Sequence, residues 1–304
     1  GASILREAGF EVRDVDDADF VSGLKSNEDA IDLLRGASAT IASGERYTAE
    51  IINSLPDLRV IARHGVGFDR VDVDAATAAG VAVTITPDAN YESVAEHAMA
   101  LILATSKRLI TVDKILRSGG WGAPTPPLPL RKSTLGIVGL GRIGRSLATR
   151  GLAMGMKIIA TELYPDQQFV EKHDIRLADL DVLLGESDYV SLHCPLSKQT
   201  EGIINAQRLS LMKPNSIIVN TARGGLIVES DLIQALESGS IGGAGLDVFE
   251  NEPTDPQNPI YQFDNVVVSP HIAGTDTLAL NNMSADAAHN IIALYNGEWP
   301  EGAV

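Results

Sequence analysis

Apolar residues recur at helical spacing from residue 93 to about 117, through Val94, Ala98, Leu101, Ile102 and Thr105. That period predicts one long helix. Ser93 and Glu96 read as its capping box, and Ser118-Gly119-Gly120 as its end. On either side the pattern changes to short apolar runs bounded by turn residues. Before this helix, runs at 10–13, 39–42, 59–62 and 81–85 read as strands, and 1–9, 27–34, 49–55 and 71–80 as helices. Such alternation predicts a small α/β unit. Residues 87–90 read as the hinge out of it and 123–129 as a proline-rich loop. Further strands are expected at 135–138, 156–161, 189–193, 216–219, 244–248 and 266–269, with a helix at 143–154. The last helix, 277–296, is long enough to return to the first unit, and no internal repeat is visible. A βαβ unit normally opens on a strand, so a first strand upstream of Gly1 is expected.

A chain of 304 residues suggests two domains, at roughly 150 residues each. Lys+Arg is 24 and Asp+Glu is 40, so the formal charge is 24 − 40 = −16. This acidity argues against nucleic acid or an anionic membrane as partner, though not against a small anionic substrate met by local arginines. Cys194 is the single cysteine, which excludes an intramolecular disulfide framework and a multi-cysteine metal site. A cytoplasmic setting is expected, with no signal peptide or membrane span. The six histidines are dispersed, so no metal is expected. The apolar 93–117 helix and Trp121 predict burial against a second copy, a homodimer.

Candidate chemistry follows the strand-like runs. Asn220-Thr221-Ala222-Arg223, Asn251-Glu252-Pro253 and Ser269-Pro270-His271 each stand after one of them. Residues beyond the carboxyl ends of parallel strands converge on one crevice, so Arg223, Glu252 and His271 are expected to meet. Singly, each has a structural reading: a surface ion pair, a loop start, a hydrogen-bonded histidine. Gly139-Leu140-Gly141-Arg142-Ile143-Gly144 lies between a strand and a helix, the frame of a dinucleotide turn. Its glycines permit the turn, the approach of pyrophosphate and helix–strand packing, while the helix amino terminus offers free N–H groups. Glu162, after the next strand, is expected to accept from both ribose hydroxyls and to repel a 2′-phosphate, favouring NAD. A dinucleotide beside Arg, Glu and His suggests hydride transfer at a carbonyl.

The chain closely resembles the D-isomer-specific 2-hydroxyacid dehydrogenases, particularly the branch around phosphoglycerate dehydrogenase. The carrying segments are Arg63-His64-Gly65-Val66-Gly67-Phe68-Asp69-Arg70-Val71-Asp72, Ser93-Val94-Ala95-Glu96-His97, the glycine turn, Asn220 to Gly225, Gly245 to Pro253, and Ser269-Pro270-His271-Ile272. The resemblance implies two Rossmann-like α/β domains. A doubly wound NAD-binding domain (90–276) would be inserted into a flavodoxin-like substrate domain formed by 1–89 and 277–304. It implies that Gly139, Gly141, Arg142, Ile143, Gly144 and Glu162 hold pyrophosphate and ribose. Cys194 and Pro195 would line the cofactor cleft. Thr221, Ala222, Arg223, Asp247, His271, Ala273 and Gly274 would lie near the nicotinamide. Asp247 could instead simply cap neighbouring N–H groups. The N–H groups of Val66 and Gly67, with Arg223, would receive the substrate carboxylate.

In this reading Arg223 grips a 2-keto acid, His271 protonates the developing alkoxide, and Glu252 fixes the histidine tautomer. Glyoxylate, hydroxypyruvate and 3-phosphoglycerate are candidate substrates. Phosphoglycerate-specific relatives tend to carry arginine where Ala42 precedes Ser43, leaving Arg46 and Arg63 as anion partners. Arg70 replaces a usual asparagine. With the chain ending at Val304, regulatory carboxyl-terminal domains are not expected. A different reading of the same motifs is an NADH-sensing binding protein, like corepressors of this fold. Formate dehydrogenases differ in resembling glutamine at the Glu252 position.

Overall fold

The computed structural model describes residues 1–123 and 125–304. Pro124, in the proline-rich stretch, lies outside the described residues. Two compact units are formed, Gly1–Asn90 with Gly274–Val304, and Tyr91–Ala273.

The first unit is built on three parallel strands, β1 (Ala39–Ala42), β2 (Val60–Arg63) and β3 (Ala82–Thr84), in that order. On β2, Ile61 faces Ile51, Ala76 and Phe20, whereas Val60 and Ala62 face Ala287, Ala288 and Ile291 of the returning helix Thr277–Tyr295. This period-2 division lets four residues serve two hydrophobic layers. Ser26, Thr48 and Asp72 each cap a following helix by accepting a backbone N–H, which fixes where those helices start.

The expected strand at 10–13 is not a strand. Phe10 and Val12 do turn into the cluster around Val60 and Ala287, and this one-sided burial produced the alternating pattern. No ladder accompanies it, and β1 remains the edge of the sheet.

The second unit holds seven parallel strands: β4 (Thr134–Val138), β5 (Lys157–Thr161), β6 (Arg176–Leu177), β7 (Tyr189–Leu192), β8 (Ile217–Asn220), β9 (Gly243–Leu246) and β10 (Val266–Val268). Their order is β10-β9-β8-β7-β4-β5-β6. Chain direction across the sheet therefore reverses at β4/β7, the doubly wound arrangement whose reversal point admits a nucleotide. β7, β8 and β9 are buried at every position, as helices on both faces of a parallel sheet require.

The single helix expected over 93–117 is two helices, Tyr91–Ser106 and Leu109–Arg117. Arg108 between them is left-handed, with φ 52°, and Lys107 donates to the Leu128 carbonyl. The first helix lies flush on β9, where a Cβ at Gly245 would come within 2.9 Å of Leu101. The second buries no residue. Apolar periodicity runs through the break, so it could not reveal it. The expected capping box is also absent, since Ser93 lies inside the first turn and donates to the Ala273 carbonyl.

Among the described residues no helix is long and apolar enough to cross a membrane, and no group of His, Cys, Asp and Glu could hold a metal ion.

Candidate active site

The glycine turn joins β4 to the helix Arg142–Ala153. Gly139 has φ 97°, and a Cβ there would meet the His193 backbone at 2.7 Å. A Cβ on Gly144 would lie 2.1 Å from the Gly139 carbonyl oxygen, so helix and turn touch. Beside Gly141, by contrast, an added Cβ meets nothing within 4 Å. Gly141 caps the helix without a side-chain hydrogen bond and no acidic residue occupies the first turn. Its leading N–H groups and positive dipole end thus suit a phosphate. Arg142 and Ile143 open that helix, and Ile143 also packs against the core. At the end of β8, the buried Thr221 hydroxyl has no hydrogen-bond partner among the described residues. Open backbone donors and this hydroxyl fit a dinucleotide.

Glu162 follows β5. Its Oε2 accepts from Leu140 N at 2.8 Å, and its Oε1 from Leu163 N and Tyr164 N at 2.8 and 3.1 Å. A carboxylate has about four acceptor sites, so this geometry leaves about one, on Oε2. The expectation of two ribose hydroxyls on Glu162 is therefore reduced to one. Adjacent to the turn, burial pushes the Cys194 thiol up to about 11 and His193 down to about 3. Cys194 is thus a protonated packing residue, half-buried against the core, followed by exposed Pro195.

Arg223, Glu252 and His271 follow the adjacent strands β8, β9 and β10. Asn220 folds the first loop by donating to the Arg223 carbonyl at 2.8 Å and accepting from Ala222 N at 3.0 Å. Arg223 Nη1 donates to the Ala222 carbonyl. A Cβ on Gly224 would lie 1.9 Å from the Phe249 carbonyl carbon, so the arginine loop abuts the loop that carries Glu252. Glu252 Oε1 accepts from Phe249 N at 3.1 Å, and its Oε2 lies 2.8 Å from His271 Nδ1. A carboxylate can only accept, so Nδ1 carries the proton and a neutral ring leaves Nε2 free as base. The His271 side chain is half exposed, at 47%, and can reach a substrate.

Asp247 is fully buried. Its oxygens accept from Ser269 Oγ, Ile272 N and Ala273 N at 2.6 to 2.9 Å, which makes it the anchor of the His271 turn. Asp247 thus caps neighbouring N–H groups, the alternative role open to it from the sequence. Ser93, His97 and Ser269 had no expected part in the site: Ser93 and His97 share one helix face, but Ser269 follows β10 and nothing local links it to them.

In the first unit, the loop after β2 carries Val66 and Gly67, both half-buried. Thr86 Oγ1 accepts from Gly65 N, and Arg63 Nε donates to the Gly67 carbonyl. Arg63 is buried and braces this loop. Of the two anion candidates, Arg46 is the exposed one. Arg70 donates to the Gly44 and Ser22 carbonyls. Gly274 opens this unit's returning segment.

The family model described as "D-isomer specific 2-hydroxyacid dehydrogenase, NAD binding domain" matches residues 99–273. A glyoxylate reductase from Thermococcus onnurineus is 40% identical over 309 residues, 99% of this chain and 91% of that protein. A D-3-phosphoglycerate dehydrogenase from Archaeoglobus fulgidus is 34% identical, covering 96% of this chain but 55% of its own length. The crystal structure of D-lactate dehydrogenase from Aquifex aeolicus, complexed with NAD and lactic acid, superposes with a TM-score of 0.82 at 33% identity, covering 88% of this chain and 86% of that one. The chain belongs to the D-isomer-specific 2-hydroxyacid dehydrogenase family. It is an NAD-dependent oxidoreductase of 2-hydroxy acids.

Proposed function

We propose that this enzyme reduces small, unphosphorylated 2-keto acids, glyoxylate and hydroxypyruvate foremost, with His271 as acid and Arg223 as carboxylate anchor. The 2.8 Å contact between His271 Nδ1 and Glu252 carries this reading. Bound NADH supplies a hydride to the keto carbon. The guanidinium fork of Arg223 holds the carboxylate and polarises the keto oxygen. His271, protonated at Nε2, gives that proton to the developing alkoxide, and Glu252 offsets the imidazolium charge. In the oxidative direction neutral His271 takes the hydroxyl proton. Val66 and Gly67 N–H groups are the proposed further carboxylate donors. Ala42 in place of arginine argues against a phosphate-bearing substrate. An NADH-oxidation panel with glyoxylate, hydroxypyruvate, pyruvate, 2-ketogluconate and phosphohydroxypyruvate tests this. Phosphohydroxypyruvate giving the highest kcat/KM overturns the substrate class.

Among the proposed cofactor contacts, Glu162 takes one ribose hydroxyl and repels a 2′-phosphate by like charge. NADH is expected to be preferred over NADPH by at least about tenfold in kcat/KM, about 1.4 kcal/mol. Equal use of the two would remove Glu162 from the ribose site.

We also propose a homodimer in the cytoplasm. Leu109 and Leu116 are exposed beside Trp121, which is 93% exposed, an apolar cluster that a second copy would cover. The lone cysteine suits a reducing compartment. Sedimentation at micromolar concentration is expected to give twice the chain mass, and Leu116→Asp with Trp121→Ala to give the monomer. A monomeric wild-type protein refutes the dimer.

A further inference from the structure

His271 does not sit on a strand or helix. It sits on a turn with φ 56°, a conformation that L side chains adopt rarely, so contacts around the turn must hold it there. Asp247 is one such contact, accepting from Ile272 N and Ala273 N, while its own carbonyl accepts from His271 N at 2.7 Å. Two others come from the helix Tyr91–Ser106. Ser93 Oγ donates to the Ala273 carbonyl at 2.8 Å, and His97 Nε2 lies 2.8 Å from Ser269 Oγ. Ser93 and His97 are four positions apart, hence on one helix face, and they meet opposite ends of the 269–273 turn.

The direction of the bonds follows from donor inventory. Asp247 Oδ1, 2.6 Å from Ser269 Oγ, can only accept, so the Ser269 proton points at it. Ser269 is then left to accept from His97, which fixes the proton of His97 on Nε2. The chain runs His97 Nε2–H to Ser269 Oγ–H to Asp247, with Asp247 Oδ1 also 3.5 Å from His97 Nε2. The network is anchored on the fully buried Asp247 and part-buried at its other members, and hydrogen bonds linked in this way rigidify what they touch. We propose that Ser93 and His97 are positioning residues: a two-point clamp from one helix face that sets the approach of His271 to the substrate oxygen. The proposal rests on the reading of His271 as the acid–base group.

Three variants test it, read by kcat, KM, NADH dissociation constant and melting temperature. His97→Asn keeps a polar amide too short to reach Ser269, and His97→Gln places its amide nitrogen near Nε2. His97→Asn is expected to lower kcat about tenfold, with KM for glyoxylate and NADH affinity within about twofold of wild type, because acid geometry and not binding is disturbed. His97→Gln should recover most of that loss. Ser93→Ala, a deletion too small to unfold the helix, frees the other end and should lower kcat several-fold. A merely structural role predicts instead a lower melting temperature with kcat of the folded fraction unchanged. That result, or His97→Gln no better than His97→Asn, overturns the clamp. His271→Asn separates the two ideas. If it is inactive while the His97 and Ser93 variants match wild type, the clamp alone fails; if it is fully active, the acid assignment fails and the clamp with it.

Discussion

His271→Asn lowers kcat for glyoxylate reduction by about 10²–10⁴-fold, the usual worth of one acid–base group, while NADH affinity changes little. Affinity is spared because the glycine turn and Glu162 lie at β4 and β5, whereas His271 follows β10 at the opposite edge of the sheet. Asparagine is the better probe because residue 271 has φ 56°. Asparagine tolerates the left-handed region. His271→Ala replaces a residue type enriched in the left-handed region by one that is not, so it should lose melting temperature as well as turnover. Steady-state kinetics on both variants, with NADH binding followed by fluorescence, separates these effects. If His271→Asn keeps kcat within about fivefold of wild type on any good keto acid, this histidine is not the proton donor.

Arg223→Lys loses about 10²–10³ in kcat/KM although the charge is kept, the scale seen when one transition-state donor is removed. The arginine loop is fixed by Asn220 at both the Ala222 N–H and the Arg223 carbonyl, and Gly224 packs against the Phe249 backbone. Such a loop presents a planar fork at a fixed angle, which an ammonium on a flexible stem does not reproduce. Arg223→Ala should be only slightly worse than Arg223→Lys. Lysine restoring more than about a tenth of wild-type kcat/KM would mean that charge, and not the bidentate geometry, does the work.

The strands of the second unit other than β6 were readable in the chain, for a physical reason, whereas its helices after Ala153 were not. Strands buried on both faces, such as Ile217–Asn220, must be apolar at consecutive positions, and their ends must carry whatever acts in the crevice. The placement of Arg223, Glu252 and His271 after three adjacent strands could be read by that rule alone. β6 could not, because Arg176 and Leu177 are exposed and carry no apolar run. The 10–13 segment misled because one-sided burial and strand pairing leave the same pattern. The break at Arg108 was hidden because a left-handed residue leaves hydrophobic periodicity unchanged. The support of His271 was beyond any local pattern, since His97 and Ser269 are 172 positions apart, and only the folded sheet brings them together.

The three backbone N–H groups on Glu162 bear on how this enzyme could be bred for another cofactor. Exchanging Glu162 for a neutral or basic residue would be the first move toward NADPH, yet it would also strand the amides of Leu140, Leu163 and Tyr164. The Leu163 and Tyr164 amides are exposed and can turn to water, but the part-buried Leu140 amide belongs to the glycine turn, and an unmet buried donor costs about 1–3 kcal/mol. A lineage changing coenzyme therefore needs a replacement acceptor for Leu140 first, which makes the order of substitutions, and not only their identity, part of the route.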